Sequence, residues 1–196
     1  MPKTATTAEI EDTKSALGKR AIVLVGLMGA GKTSVGRRLA EKMDLPFVDA
    51  DHEIEVAAGK TVAEIFSDDG EDYFREGERR VIARLLENGR QVLATGGGAY
   101  MNQETRDSIK LHAVSIWLKA DLDILLKRVT KRNDRPLLRN EDPADVLKRL
   151  IEVRYPVYAQ ADVTVESRDV QHGQMVNDVI QALAAWPGLK VDENAV

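Results

Sequence analysis

The stretch "AIVLVGLMGAGKTSVGRRLA", residues 21–40, decides the fold class. An apolar run of five residues breaks at Gly26 into a glycine-rich segment, and a helical pattern begins at Lys32. Gly26, Gly31, Lys32 and Thr33 fill the pattern G-x-x-x-x-G-K-[ST], with a strand expected before it and a helix after it. Glycines let such a loop fold tightly enough for its backbone N–H groups to converge on phosphate oxygens at a helix start. The reading assigns a nucleoside triphosphate to the loop Gly29, Ala30, Gly31, Lys32, Thr33 and Ser34, with Lys32 reaching the β- and γ-phosphates and the Thr33 hydroxyl ligating Mg²⁺. The loop alone does not say whether the triphosphate drives movement, sets a switch, or is handed to an acceptor.

Outward from this stretch, short β-type runs alternate with helical patterns. Strands are expected at 21–25, 46–49, 91–95, 114–118 and 162–165. Helices are expected near 32–43, 51–66, 71–87, 103–110, 122–131, 143–158 and 174–185. Strands separated by helical crossovers imply one α/β domain, a parallel sheet covered on both faces, over residues 19–186. Residues 1–18 and 187–196 read as flexible tails.

The 196 residues are 43 % hydrophobic and 31 % charged, as in a globular domain, and no apolar run approaches the roughly 20 residues of a membrane span. The leading residues lack the apolar core of a secretory signal and, with Glu9, Glu11 and Asp12 but no arginine before Arg20, do not read as a transit peptide. There is no cysteine, which suits a cytoplasmic setting. A net charge of −4 disfavours a nucleic-acid partner, while local basic clusters still suit small anions.

Four further segments bear on the acceptor. "LPFVDADHEIE" places Asp49 and Asp51 past the second strand, at the end of the sheet where ligands gather. Asp49 would serve the magnesium shell and Asp51 would orient an acceptor hydroxyl, although either could simply cap the following helix. "QVLATGGGAY" ends a strand in Gly96, Gly97 and Gly98, where a ligand could lie on bare backbone, or where the chain merely turns. Arg75 in "DYFREGERR" and Arg154 in "LIEVRYPVY" suit two-pronged carboxylate binding, or ordinary ion pairs. From Lys127 to Arg139 stand six basic residues against one acidic, either a solvated charged helix or, as favoured, a lid over about 127–140 that brings Arg135 to the transferring phosphoryl group and Arg128 near the base.

"GLMGAGKT", "FVDAD", "YFREGE", "TGGGAY", "RPLL" and "RYPVY" together, in this order and rough spacing, resemble the shikimate kinase family over about residues 21–184. The resemblance implies a nucleoside-monophosphate-kinase-like three-layer fold with a five-stranded parallel sheet of order 2-3-1-4-5. It implies transfer of the γ-phosphoryl of ATP to the 3-hydroxyl of shikimate, with Mg²⁺, in a monomeric enzyme. By matching motifs, Asp51, Arg75, Gly96, Gly97, Gly98 and Arg154 would form the shikimate pocket. Lys32 and Arg135 would neutralise the moving phosphoryl group, with Lys32, Asp51 and Arg135 as the catalytic set. Thr33 and Asp49 would serve the metal, and Arg128 and Arg168 would line the adenine site. A gluconate kinase or a P-loop ATPase are the competing readings, but the third strand ends in glycines rather than in the Asp a hydrolysis engine usually carries.

Overall fold

A computed structural model describes residues 4–131 and 141–189. Its centre is a parallel sheet of β1 (Ala21–Val25), β2 (Phe47–Asp49), β3 (Val92–Ala94), β4 (Ala113–Lys119) and β5 (Val163–Glu166), in the spatial order β2-β3-β1-β4-β5. That is the order the resemblance implies. β1 is flanked by β3 on one side and β4 on the other, in register Ile22 to Val92 and Ile22 to Val114. Every residue of β1 is fully buried, which explains its uninterrupted apolar run.

The helices around the sheet are α1 (Thr7–Leu17), α2 (Lys32–Met43), α3 (Ala50–Ala58), α4 (Val62–Asp68), α5 (Glu71–Glu87), α6 (Gln103–His112), α7 (Leu122–Val129), α8 (Pro143–Tyr158) and α9 (His172–Ala185). α2 packs on α9, α5 on α3, α4 and α6, and α7 on α8. The bounds of α2, α5 and α8 match those read from the sequence. Gly36, an unfavourable residue inside a helix, is required by close packing on the sheet: a Cβ there would come 2.7 Å from the Phe47 ring and 3.0 Å from Leu24.

Three expectations need correction. The helix expected over 51–66 is two helices, because Gly59 ends α3 in the left-handed region (φ 65°) and Thr61 opens α4 with a Glu64 capping box. Most of the leading segment read as a tail is α1, opened by a Thr6–Glu9 capping box and burying Ile10, Thr13 and Leu17. Arg20 then ties the two ends of the domain together. It donates to the Leu17 and Ala16 carbonyls at the end of α1 and to Gly188 and Leu189, and it lies 5.7 Å from the Trp186 ring. The beginning of the trailing segment is likewise folded, as the 3₁₀ turn Pro187–Leu189 with Leu189 buried. Of the lid expected over about 127–140, residues 132–140, with Arg135, lie outside the described residues.

Candidate active site

The phosphate loop leaves β1 at Gly26, whose φ of 144° and close approach to the neighbouring strand leave no space for a side chain: a Cβ would lie 2.8 Å from the Leu118 carbonyl. Gly31, at φ 98°, is the left-handed N-cap of α2. The first-turn N–H groups of α2 therefore open at the end of the loop, where an anion is favoured. The Lys32 ammonium donates to the Gly26 carbonyl at 2.8 Å and the Leu27 carbonyl at 3.1 Å, which folds its charge over the loop. A cavity of about 560 Å³ opens here, and its wall includes residues 29–34, Asp49 and Asp51.

Asp49 caps α3 and also reaches the phosphate loop. One carboxylate oxygen accepts the Asp51 N–H at 3.2 Å and caps α3, while the other accepts the Thr33 hydroxyl at 3.1 Å. β2 and α2 thus bring a hydroxyl and a carboxylate together beside the loop. Among the described residues no group of three or more His, Cys, Asp or Glu side chains could cage a metal ion. The Thr33–Asp49 pair instead fits magnesium in its usual nucleotide-bound form, with one or two protein oxygens and the remaining positions filled by phosphate and water. Burial pushes the Asp51 carboxyl above its ordinary pKa, the neighbouring Asp49 charge adds to this, and Lys32 and Arg75 act against it.

Each glycine of the triplet has a charged side chain against its Cα. A Cβ on Gly96 would come 2.8 Å from both Asp51 Oδ1 and Glu78 Oε1. On Gly97 it would lie 3.2 Å from Arg154 Nη1, and on Gly98 only 2.3 Å from Arg75 Nη1. The triplet thus makes room for two acids and two arginines at the end of β3. Asp51, Gly96 and Gly97 line the same cavity as the phosphate loop; Arg75, Gly98 and Arg154 adjoin them without lining it.

Two residues here escaped the sequence reading. Glu78, on α5, is 3 % exposed and accepts Arg75 Nη1 at 2.7 Å through Oε2. Its Oε1 has no hydrogen-bond partner among the described residues. Burial raises its pKa, opposed by Arg75 and reinforced by the Asp51 charge. A signal for it existed, since Glu78 sits on the stripe of buried residues Phe74, Val81, Ile82 and Leu85, a core-facing position where an acid needs a reason. Tyr158, at the end of α8, donates to the Gly97 carbonyl and hydrogen-bonds Arg154, while its ring packs near Trp117. It fixes the glycine backbone and the arginine from one side.

Arg128, on α7, lines the cavity and bonds to the loop itself: Nη1 lies 3.1 Å from the Gly29 carbonyl and 2.8 Å from Ser167 Oγ, and Nη2 lies 2.6 Å from the Arg168 carbonyl. Arg168 does not line the cavity. Its guanidinium turns away to Asp178 on α9.

A family model described as shikimate kinase matches residues 28–184. The chain belongs to the shikimate kinase family. The shikimate kinase of Bradyrhizobium diazoefficiens is 58 % identical over 174 residues, covering 89 % of this chain and 84 % of its own. That of Rhodopseudomonas palustris is 57 % identical over 169 residues, covering 86 % of this chain and 83 % of its own. Shikimate kinase from Acinetobacter baumannii, solved in complex with shikimate, is similar with a TM-score of 0.81 and 37 % identity, over 86 % of this chain and 95 % of its own. In this chain of the shikimate kinase family, α1 lies outside the matched residues.

Proposed function

We propose that the protein transfers the γ-phosphoryl group of ATP to the 3-hydroxyl of shikimate, giving shikimate 3-phosphate and ADP on the route to chorismate and the aromatic amino acids. The observation that carries this reading is the placement of Asp51 in one cavity with the phosphate loop, next to a glycine triplet backed by Arg75 and Arg154. A donor site and an anionic acceptor site thereby meet at a single carboxylate.

In the proposed reaction the guanidinium groups of Arg75 and Arg154, with the N–H groups of the triplet, hold the shikimate carboxylate at the far end of the acceptor. Asp51 accepts a hydrogen bond from the 3-hydroxyl and turns its oxygen toward the γ-phosphorus. The new O–P bond forms as the bond to the bridging oxygen of ADP breaks, and the hydroxyl proton passes to Asp51 and on to solvent. A loose transition state asks for positioning and charge neutralisation more than for a strong base. Lys32 supplies positive charge at the β- and γ-phosphates, and Arg135, outside the described residues, is assigned the same task. Magnesium held by Thr33 and, through Asp49, by water would neutralise the β,γ-phosphate oxygens. The same reading takes the protein as a cytoplasmic monomer whose partners are the two small molecules.

Phosphorus NMR of the product tests the regiochemistry. A single phosphate coupled to the proton on C3 of shikimate is expected, and a phosphate on another hydroxyl overturns the assignment of Asp51.

A further inference from the structure

A phosphate loop turns its N–H groups to the ligand, so its carbonyls face the protein and need donors there. Lys32 covers Gly26 and Leu27. The Ala30 carbonyl is met by Ser167, whose Oγ lies 2.9 Å away. Ser167 follows β5, is 3 % exposed, and donates its own N–H to the Lys119 carbonyl on β4, which pins it to the sheet. The same Oγ receives Arg128 Nη1 at 2.8 Å. The count closes for a serine hydroxyl, with its one proton given to Ala30 and a lone pair taken by Arg128.

We propose that Ser167 is a positioning residue for the nucleotide, acting through the phosphate loop. The peptide between Ala30 and Gly31 is trans, so its carbonyl and its N–H point in opposite directions. Fixing the Ala30 carbonyl on Ser167 therefore fixes the direction of the Gly31 N–H at the N-cap of α2. Gly31 has no side chain to resist rotation of that peptide, so the restraint has to come from outside the loop. Ser167 also holds Arg128 against the Gly29 carbonyl, which joins β5, α7 and the loop in one hydrogen-bonded set. No partner of Ser167 in this set touches the acceptor side formed by Asp51 and the glycine triplet.

The inference rests on the loop being the ATP site and is independent of which acceptor is phosphorylated. Calorimetric titration of Mg·ADP into the full chain and its Ser167→Ala and Ser167→Thr variants tests it, with shikimate titrated in parallel. Ser167→Ala is expected to weaken ADP binding about five- to twentyfold, as for a lost buried hydrogen bond. Shikimate binding is expected to change less than twofold, in rough terms, because its contacts are untouched. Ser167→Thr, which keeps the hydroxyl, is expected to restore ADP binding. Unchanged ADP binding in Ser167→Ala, equal weakening of both ligands, or no recovery with threonine overturns the proposal. If the alanine variant does not fold, Ser167→Cys, similar in size and a poor donor, carries the same expectation. A wild-type chain that binds ADP but does not phosphorylate shikimate sinks the proposed function and leaves this test readable.

Discussion

Gly98 lies directly against the guanidinium of Arg75: a Cβ at Gly98 would sit 2.3 Å from Nη1 and 2.6 Å from Cζ. The backbone of Gly98, at φ −93°, would accept any residue, so this position is kept bare for space and not for conformation. Gly98→Ala should displace Arg75 from the place where it would grip a carboxylate. Steady-state kinetics should show KM for shikimate raised about tenfold or more with KM for ATP nearly unchanged. An equal rise in both constants would mean that the loop as a whole had shifted.

Arg154 is held between the Gly97 backbone and the Tyr158 hydroxyl, and its truncation should act on the same substrate. Arg154→Ala is expected to raise KM for shikimate by about one to two orders of magnitude, as for loss of a charge-assisted pair. If the ATP dependence suffers most, the carboxylate is held elsewhere.

Asp51 gives a prediction about pH. Its pKa in the folded chain is raised, first by burial and then by Asp49, so the native state binds a proton more tightly than the unfolded chain does. Stability contributed by this group is therefore lost as pH rises from the ordinary carboxylate value through the raised one, and the loss is complete above it. Asp51→Asn should lower kcat about 10²-fold or more. It should also raise Tm by about 2–4 °C for each kcal/mol of charge burial relieved. The gain should be larger at pH 8 than at pH 4, a contrast that thermal melts of both proteins would show. A variant that melts below the wild type at pH 8 would place the net benefit of Lys32 and Arg75 above the burial cost.

Leu17 carries a prediction for the domain's first helix. It is 1 % exposed at the end of α1, and Leu17→Ala should cost about 2–4 kcal/mol of stability by opening a cavity. Denaturant unfolding should show this loss with neither KM changed by more than about twofold, since α1 lies away from the loop. A loss near zero would mean that α1 contributes little to the folded domain.

These cases also mark what the sequence could tell. β1, the phosphate loop and α2 were legible because three signals coincide there: a continuous apolar run, glycines at positive φ, and helical periodicity from Lys32. The two functions of Asp49 could not be separated, because capping and reaching Thr33 use different oxygens of one carboxylate. α1 was legible in principle. Thr6 and Glu9 form a capping box, and Ile10, Thr13 and Leu17 fall on one helical face, but only three of its eleven residues are buried and the surrounding charge hid the stripe. Glu78 was hidden among the acids of "FREGE", where only its place on the apolar face of α5 distinguishes it. Ser167 could not be found at all. Its role depends on β5 passing beside a loop more than a hundred residues earlier in the chain.

Lys32 tests the donor half. Its ammonium is folded over the loop between the Gly26 and Leu27 carbonyls, and the Lys32→Ala variant removes that charge from the loop. Loss of several kcal/mol of transition-state stabilisation is expected, a fall of roughly 10³-fold or more in kcat. Near-normal turnover would remove Lys32 from the mechanism.

The most direct measurement of the central claim is a coupled assay of ADP formation with shikimate, with gluconate and with no acceptor. The account predicts rapid ADP release with shikimate, matched one to one by shikimate 3-phosphate, and little without an acceptor. Turnover on gluconate alone, or ADP release that does not depend on shikimate, would contradict it.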